Sequence, residues 1–94
     1  MHPLITRHRA GLLALAEHHG IASVRVFGSM ARGDADENSD VDLLVTLCPG
    51  STGLALGGLL GDAEDLLQRR VDVVTEGALH PALREQVLRE AQAL

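Results

Sequence analysis

The chain of 94 residues has no lysine, tryptophan or tyrosine, and Phe27 is its only aromatic residue. Without aromatic faces there is no platform on which single-stranded bases would stack and no cage for an adenine ring. Base recognition must then be loose, aliphatic or completed by another chain. Positive charge is also scarce: eight basic residues, all arginine, face thirteen Asp and Glu, for a formal net charge of −5. A surface that tracks a phosphate backbone is basic, so a polynucleotide substrate is disfavoured. The same acidity suits a basic protein partner.

A single cysteine, Cys48, excludes an internal disulfide, and with no Cys/His cluster around it a zinc site is not expected. No apolar run approaches a membrane span, and the N-terminus carries scattered charges in place of a signal peptide's apolar segment, so a cytoplasmic location is expected. The hydrophobic fraction of 46% and charged fraction of 22% are those of a soluble globular protein. Residues 1–94 are expected to form a single domain, with no internal repeat or linker.

The informative stretch runs from Val26 to Val45. An apolar strand, Val24-Arg-Val-Phe27, meets Gly28-Ser29 and then Met30-Ala31-Arg32, the pattern of a strand feeding a helix. Backbone N–H groups at such a helix start face outward and favour an anion. Gly28 lets the backbone approach a phosphate without a Cβ in the way, and the Ser29 hydroxyl can donate to a phosphate oxygen. A bulky side chain at Gly28 is expected to obstruct the phosphate while leaving the carboxylates intact. Taken alone, Gly-Ser reads as readily as an ordinary N-cap by Ser29.

Ten residues further on, Asp40-Val-Asp42 opens a second apolar strand, Leu43-Leu44-Val45. Residues two apart in a strand share a face, so Asp40 and Asp42 project side by side and repel. A divalent cation between them relieves that repulsion, and hard oxygen ligands suit Mg²⁺, which completes its shell with water and substrate phosphate. An isolated Asp-x-Asp is usually a solvated turn. The combination with Gly-Ser at this spacing is what points to phosphate and metal.

GSMARG and SDVDLLV together, as Gly28-Ser29-(x10)-Asp40-x-Asp42, resemble the signature of the polymerase-β-like nucleotidyltransferases. The short chain and the later Arg70-Val71-Asp72-Val73-Val74-Thr75 resemble, more narrowly, the minimal nucleotidyltransferase (MNT) family of prokaryotic antitoxins. The resemblance implies a small α/β fold, a mixed sheet bearing carboxylates on one face and helices on the other. It also implies that Asp40 and Asp42 ligate Mg²⁺, that Asp72 from a third strand completes a carboxylate triad, and that ATP is the nucleotide donor. The implied acceptor is a hydroxyl, a tyrosine in the resemblance, on a HEPN-domain toxin whose ribonuclease activity the modification would silence.

Residue chemistry bears on Asp72 separately. It interrupts an apolar run, where a buried unpaired carboxylate would be expensive. A metal would relieve the cost, and so would a solvated strand end or pairing with Arg69 or Arg70. With three carboxylates a two-metal displacement is available, and Asp72 could accept the proton of the incoming hydroxyl. Arg32 could reach the triphosphate with its fork of donors, or pair with Asp34 or Asp36. His18 and His19 fit a favourable interaction with a helix C-terminus, and the acidic loop 34–37 is expected to be mostly solvated.

Periodicity predicts a helix over about 5–19 ended by Gly20, strands over about 24–27, 40–47 and 71–75, and a final helix from Pro81 with Leu83, Val87, Leu88, Ala91 and Leu94 on its apolar side. Between the second and third strands, Leu54, Leu56, Leu59, Leu60, Ala63, Leu66 and Leu67 argue a helix ending near Gln68, but Gly57, Gly58 and Gly61 each weaken it by about 1 kcal/mol, so its first turn or two are expected as loop and the dependable helix is placed at about 61–70. Residues 51–58 are then a surface loop or a lid over the nucleotide.

Three functions are compatible with these residues. The first is transfer of AMP from ATP to the partner's hydroxyl. The second is an antitoxin that neutralises by binding alone, its nucleotide site vestigial. The third, less favoured for want of an acceptor pocket, is a small-molecule nucleotidyltransferase.

Overall fold

The computed structural model describes residues 1–94. In chain order it contains α1 (Pro3–Arg7), α2 (Arg9–His18), β1 (Ile21–Phe27), α3 (Gly28–Arg32), β2 (Val41–Leu47), α4 (Leu54–Leu67), β3 (Val71–Thr75), a 3₁₀ turn (Glu76–Ala78), α5 (Pro81–Glu90) and β4 (Gln92–Ala93). The strands form one mixed sheet of order β3-β2-β1-β4. β1 is antiparallel to β2 and β4, and β2 is parallel to β3. The expected mixed α/β architecture is present.

Alternation along the strands separates two faces. Val24 and Val26 of β1, Val41, Leu43 and Val45 of β2 and Val71 of β3 turn into one core with Ile5, Leu12, Ala16, Leu59, Ala63 and Leu67 from the helices. Leu12 with Ala16 on α2, and Leu59 with Ala63 and Leu67 on α4, recur at helical spacing and supply that cover. Truncating one of the fully buried leucines to alanine removes about 2–5 kcal/mol. The other face carries Asp42.

The N-terminal helix begins earlier than its apolar periodicity predicts and breaks at His8. Pro3 stands in the first helical turn, and His2 Nδ1 accepts the Leu4 N–H at 3.1 Å, which together start α1 before Ile5. His8 Nδ1 is 2.9 Å from the Leu4 carbonyl, a side-chain bond that competes with the regular ladder at the break. Gly20, at φ +75°, ends α2 as expected. β1 then starts at Ile21, three residues before the predicted strand, through an irregular register between Ile21 and Ser23.

α4 has the extent that its apolar residues from Leu54 to Leu67 predict, ending near Gln68, and overturns the expectation that its first turns are loop. The helix runs from Leu54 to Leu67 and ends on Gln68 in the left-handed region. A Cβ on Gly58 would lie 2.5 Å from His19 Nδ1, so glycine is what lets α4 press against the end of α2. There His19 Nε2 meets Asp62 Oδ2 at 2.6 Å; His19 is held by a side chain as well as by its place at the helix end. Packing of Leu59 and Ala63 offsets the poor helix propensity of the glycines. A lid is also ruled out by position, because α4 lies on the face opposite Asp42. Ser51 Oγ anchors the preceding loop to the Gly20 carbonyl at 2.8 Å, at the far end of β1 from Gly28.

The last helix stops at Glu90 and does not carry Ala91 or Leu94 on an apolar side. Ala91 turns extended, Gln92–Ala93 pair with β1, and the Leu94 N–H donates to the Val24 carbonyl at 3.0 Å. Leu94 is buried in the main core, whereas Leu83 on α5 is 56% exposed. His80 caps α5 by accepting the Ala82 N–H at 3.1 Å.

Candidate active site

β1 delivers the chain at Phe27 in an extended conformation, and Gly28 turns it into α3 at φ +70°, a value that favours glycine. Phe27 is the cap residue of α3, and no side chain caps that helix. The N-cap reading of Ser29 is therefore excluded. Its hydroxyl sits one residue inside the turn, next to the backbone N–H groups that open the helix.

Register brings the carboxylates to this turn. Asp42 pairs with Phe27 across the antiparallel ladder and with Asp72 across the parallel one. Asp42 and Asp72 thus stand beside each other on adjacent strands, on the face away from the main core. Asp40, just before β2, is exposed on the same side, and the strand start behind it is tied by the Val41 N–H to the Arg70 carbonyl at 2.9 Å. Asp42 is half-buried, with its carboxylate pressed on Gly28: a Cβ there would stand 2.5 Å from Asp42 Oδ2. The glycine is needed for the carboxylate first, so a bulky residue would not leave the carboxylates intact as expected from sequence.

Burial raises the pKa of Asp42 above the ordinary carboxylate range, and the charges of Asp72 and Asp40 raise it further, with Arg32 opposing. Repulsion among three carboxylates is the condition a divalent cation relieves. Oxygen donors on two adjacent strands, open to solvent on one side, fit Mg²⁺ completed by water and phosphate. No three metal-capable side chains close around a single point, so the protein offers a partial shell. Asp72 itself is exposed. The desolvation cost inferred from its apolar neighbours does not arise, because that run lies along an edge strand.

Arg32 pairs with Asp34 at 3.2 Å and with Glu90 of α5 at 3.0 Å. Its surface-pairing reading is present, through Asp34 and not Asp36. Asp36 instead organises the acidic loop, which is more than solvated charge. Its carboxylate accepts the Asn38 N–H at 2.8 Å and the Ser39 hydroxyl at 3.2 Å, which holds its pKa low. Arg69 Nη1 donates to the Asp36 and Ser39 carbonyls at 2.6 and 3.2 Å, fixing the loop directly before Asp40. Sequence reasoning missed this latch, although Asp36 followed three residues later by Ser39 is a turn pattern. A cleft of about 220 Å³ lined by Glu37, Ser39, Asp40 and Arg70 opens beside it.

A larger groove of about 490 Å³ lies between Thr46, Leu47, Thr75 and Glu76. It sits toward the other end of β2 and β3, its nearest lining residues, Val45 and Thr75, three positions or roughly 10 Å along the strands from Asp42 and Asp72, beyond direct contact with the carboxylates. Glu76 there binds Arg25 at 2.5 Å and approaches Arg84 at 3.8 Å. The Arg25–Glu76 pair crosses β2, and Leu44 beneath that row is fully buried outside the main core.

The profile of the nucleotidyltransferase domain family matches residues 9–94. The protein adenylyltransferase MntA of Thermococcus cleftensis is 38% identical over 87 residues, 93% of this chain and 85% of its own. A Methanocaldococcus jannaschii protein provisionally named a protein adenylyltransferase is 40% identical over 73 residues, 78% of each chain. Among solved structures, one provisionally assigned as a minimal nucleotidyltransferase superposes with a TM-score of 0.84 at 51% identity, over 100% of this chain and 97% of the other. The fold also matches a toxin-antitoxin crystal structure with AMP-PNP, at a TM-score of 0.74 and 22% identity over 89% of this chain and 69% of that one. No helix is long and apolar enough to cross a membrane.

Proposed function

The chain belongs to the nucleotidyltransferase domain family, and from that premise we propose that it transfers AMP from ATP to a hydroxyl, a tyrosine by family resemblance, of a HEPN-domain toxin and acts as its antitoxin. The observation that carries this reading is the placement of Asp42, held between the Gly28 turn and Asp72. A phosphate at the turn would lie directly beside the carboxylates. Relatives named protein adenylyltransferases support AMP as the transferred group and protein as the acceptor. The shared fold with a chain of the complex between a tri-AMPylated Shewanella oneidensis HEPN toxin and an MNT antitoxin, at a TM-score of 0.68 and 18% identity, supports the class of partner.

In this reading the Gly28 and Ser29 N–H groups and the Ser29 hydroxyl would hold phosphate oxygens, and Asp40, Asp42 and Asp72 would supply the protein's part of a Mg²⁺ shell that water and phosphate complete. The bound ion would neutralise charge on the phosphates and on the departing pyrophosphate. The acceptor oxygen attacks the α-phosphorus, the new O–P bond forms as the bond to the β-phosphate oxygen breaks, and pyrophosphate leaves. Asp72, exposed like Asp40, would take the hydroxyl proton. With no tyrosine, the chain cannot modify itself at that residue. ATP as donor implies the cytoplasm.

The test is the intact mass of the HEPN protein encoded beside this chain after incubation with the chain, ATP and Mg²⁺. A gain of one or more AMP units is expected, and none with Asp40→Asn/Asp42→Asn. No gain alongside a stable complex would replace transfer with neutralisation by binding.

A further inference from the structure

The phosphate cradle of this chain already meets an anion of its own. Glu90, the last residue of α5, accepts from Arg32 Nη1 at 3.0 Å through Oε1 and from Gln86 Nε2 at 3.1 Å through Oε2. The Glu90 carboxyl is held below its ordinary pKa by Gln86 first, with Arg32 and the nearby Gly28 N–H contributing less. The guanidinium four residues past the glycine turn engages this carboxylate, and the turn's own N–H lies beside it, both donors that an anionic phosphate oxygen could use.

We propose that Glu90 is an internal competitor for the nucleotide, occupying the Gly28–Arg32 cradle in the resting protein and leaving it when the triphosphate enters. This inference rests on the nucleotide-binding reading above and adds a regulatory element to it. The two anions cannot share the same donors: with Glu90 in place, an arriving phosphate meets a like charge and finds Arg32 engaged.

α5 is built to yield. Of its ten residues only Val87 is buried, and Pro81 to Gln86 are all exposed. A helix held by so little apolar surface moves at low cost. Its C-terminal side is firmly anchored: Gln92 Nε2 donates to the Ala31 carbonyl at 3.0 Å, and the Leu94 N–H to Val24. The extended residue Ala91 separates α5 from the anchored strand and is the natural pivot for a displacement of the helix. A polar network made by Arg32, Gln86 and Glu90 is what holds the helix end over the turn.

The experiment measures the Kd of Mg²⁺·AMP-PNP by calorimetry for the native chain, Glu90→Gln and Glu85→Gln. Glu85 is an exposed acid of the same helix, so its variant controls for net charge. Glutamine at 90 keeps an acceptor for Arg32 and removes the charge. The expected result is binding about five- to ten-fold tighter for Glu90→Gln, the size of one displaced ionic contact, with Glu85→Gln unchanged. In parallel, the pH titration of the Gly28 amide resonance should lose one component in Glu90→Gln, that of Glu90, while the component from Asp42, whose carboxylate is pressed on Gly28, remains. Equal or weaker nucleotide binding by Glu90→Gln, or equal tightening by both variants, would overturn the competitor role while leaving the nucleotide site in place. Absence of binding by all three proteins would overturn the nucleotide reading and the competitor role with it.

Discussion

Asp42 Oδ2 lies where a side chain on Gly28 would begin, 2.5 Å from the position of its Cβ. The turn proposed to take phosphate and the carboxylate proposed to take metal are therefore one packed unit. Gly28→Ala acts on both halves. It forces a φ of +70° on an L-residue and drives a methyl into Asp42. The expected outcome is a stability loss of about 1–3 kcal/mol, read by urea denaturation, with transfer activity abolished. Mg²⁺ affinity of the nucleotide-free protein should fall as well. Unchanged Mg²⁺ binding with lost ATP binding would mean that the glycine serves the phosphate alone.

Asp42 also sets a pH dependence. Its folded-state pKa is raised, by burial and then by Asp72 and Asp40, so the ionised form is tolerated less well in the fold than in the unfolded chain. Stability is greatest below the ordinary carboxylate pKa and is lost as pH rises through the raised value. In the absence of divalent ions, the Tm of Asp42→Asn relative to the native chain should therefore climb as pH rises from below the ordinary carboxylate pKa through the raised value. Added Mg²⁺ should raise the Tm of the native chain and close the gap. A difference that stays flat across this range would remove the case for strain among the carboxylates.

The glycines of α4 separate a contact requirement from helix propensity. Gly57 and Gly61 have nothing within 4 Å of a prospective Cβ, whereas at Gly58 the His19 ring lies at 2.5 Å. Gly57→Ala and Gly61→Ala should each stabilise by up to about 1 kcal/mol. Gly58→Ala should destabilise, because the gain in propensity is outweighed by separating α4 from α2 and breaking the His19–Asp62 pair. Denaturant midpoints of the three variants are the measurement, and a stabilising Gly58→Ala would reject the close approach.

Much of the site was legible because its signals are local. Asp40 and Asp42 share a face by the period of two, and the Gly28 turn is written in consecutive residues. Asp72 could be assigned by resemblance, but its position beside Asp42 depends on the register of a parallel pair, and no short-range pattern encodes that. β4 was invisible for a different reason. Val87, Ala91 and Leu94 keep helical spacing, and the switch at Ala91 is decided by hydrogen bonds to β1 and to Ala31. Gly58 looked like a helix breaker because its reason, the His19 ring, is 39 residues away in the chain. The anion on the cradle likewise comes from Glu90, 58 residues beyond Arg32.

Arg69 gives a prediction about positioning without contact. Its guanidinium binds only the Asp36 and Ser39 carbonyls, through Nη1, so it touches neither carboxylate of the Asp40–Asp42 pair. It fixes the loop from which Asp40 emerges, one nitrogen holding two carbonyl groups that solvent would otherwise take. Arg69→Ala should leave the fold nearly intact, with a loss within about 1 kcal/mol as for an exposed polar contact. The freed loop should let Asp40 wander, which weakens Mg²⁺ binding and lowers kcat about ten-fold, the cost of a small misplacement at a reacting centre. ATP binding measured without metal should not change, since Gly28, Ser29 and Arg32 lie on a different element. Arg69→Lys should restore part of the metal affinity, because an ammonium can still donate to a carbonyl. If alanine at this position weakens nucleotide and metal equally, the residue acts through global stability, and the loop latch has no separate role in placing Asp40.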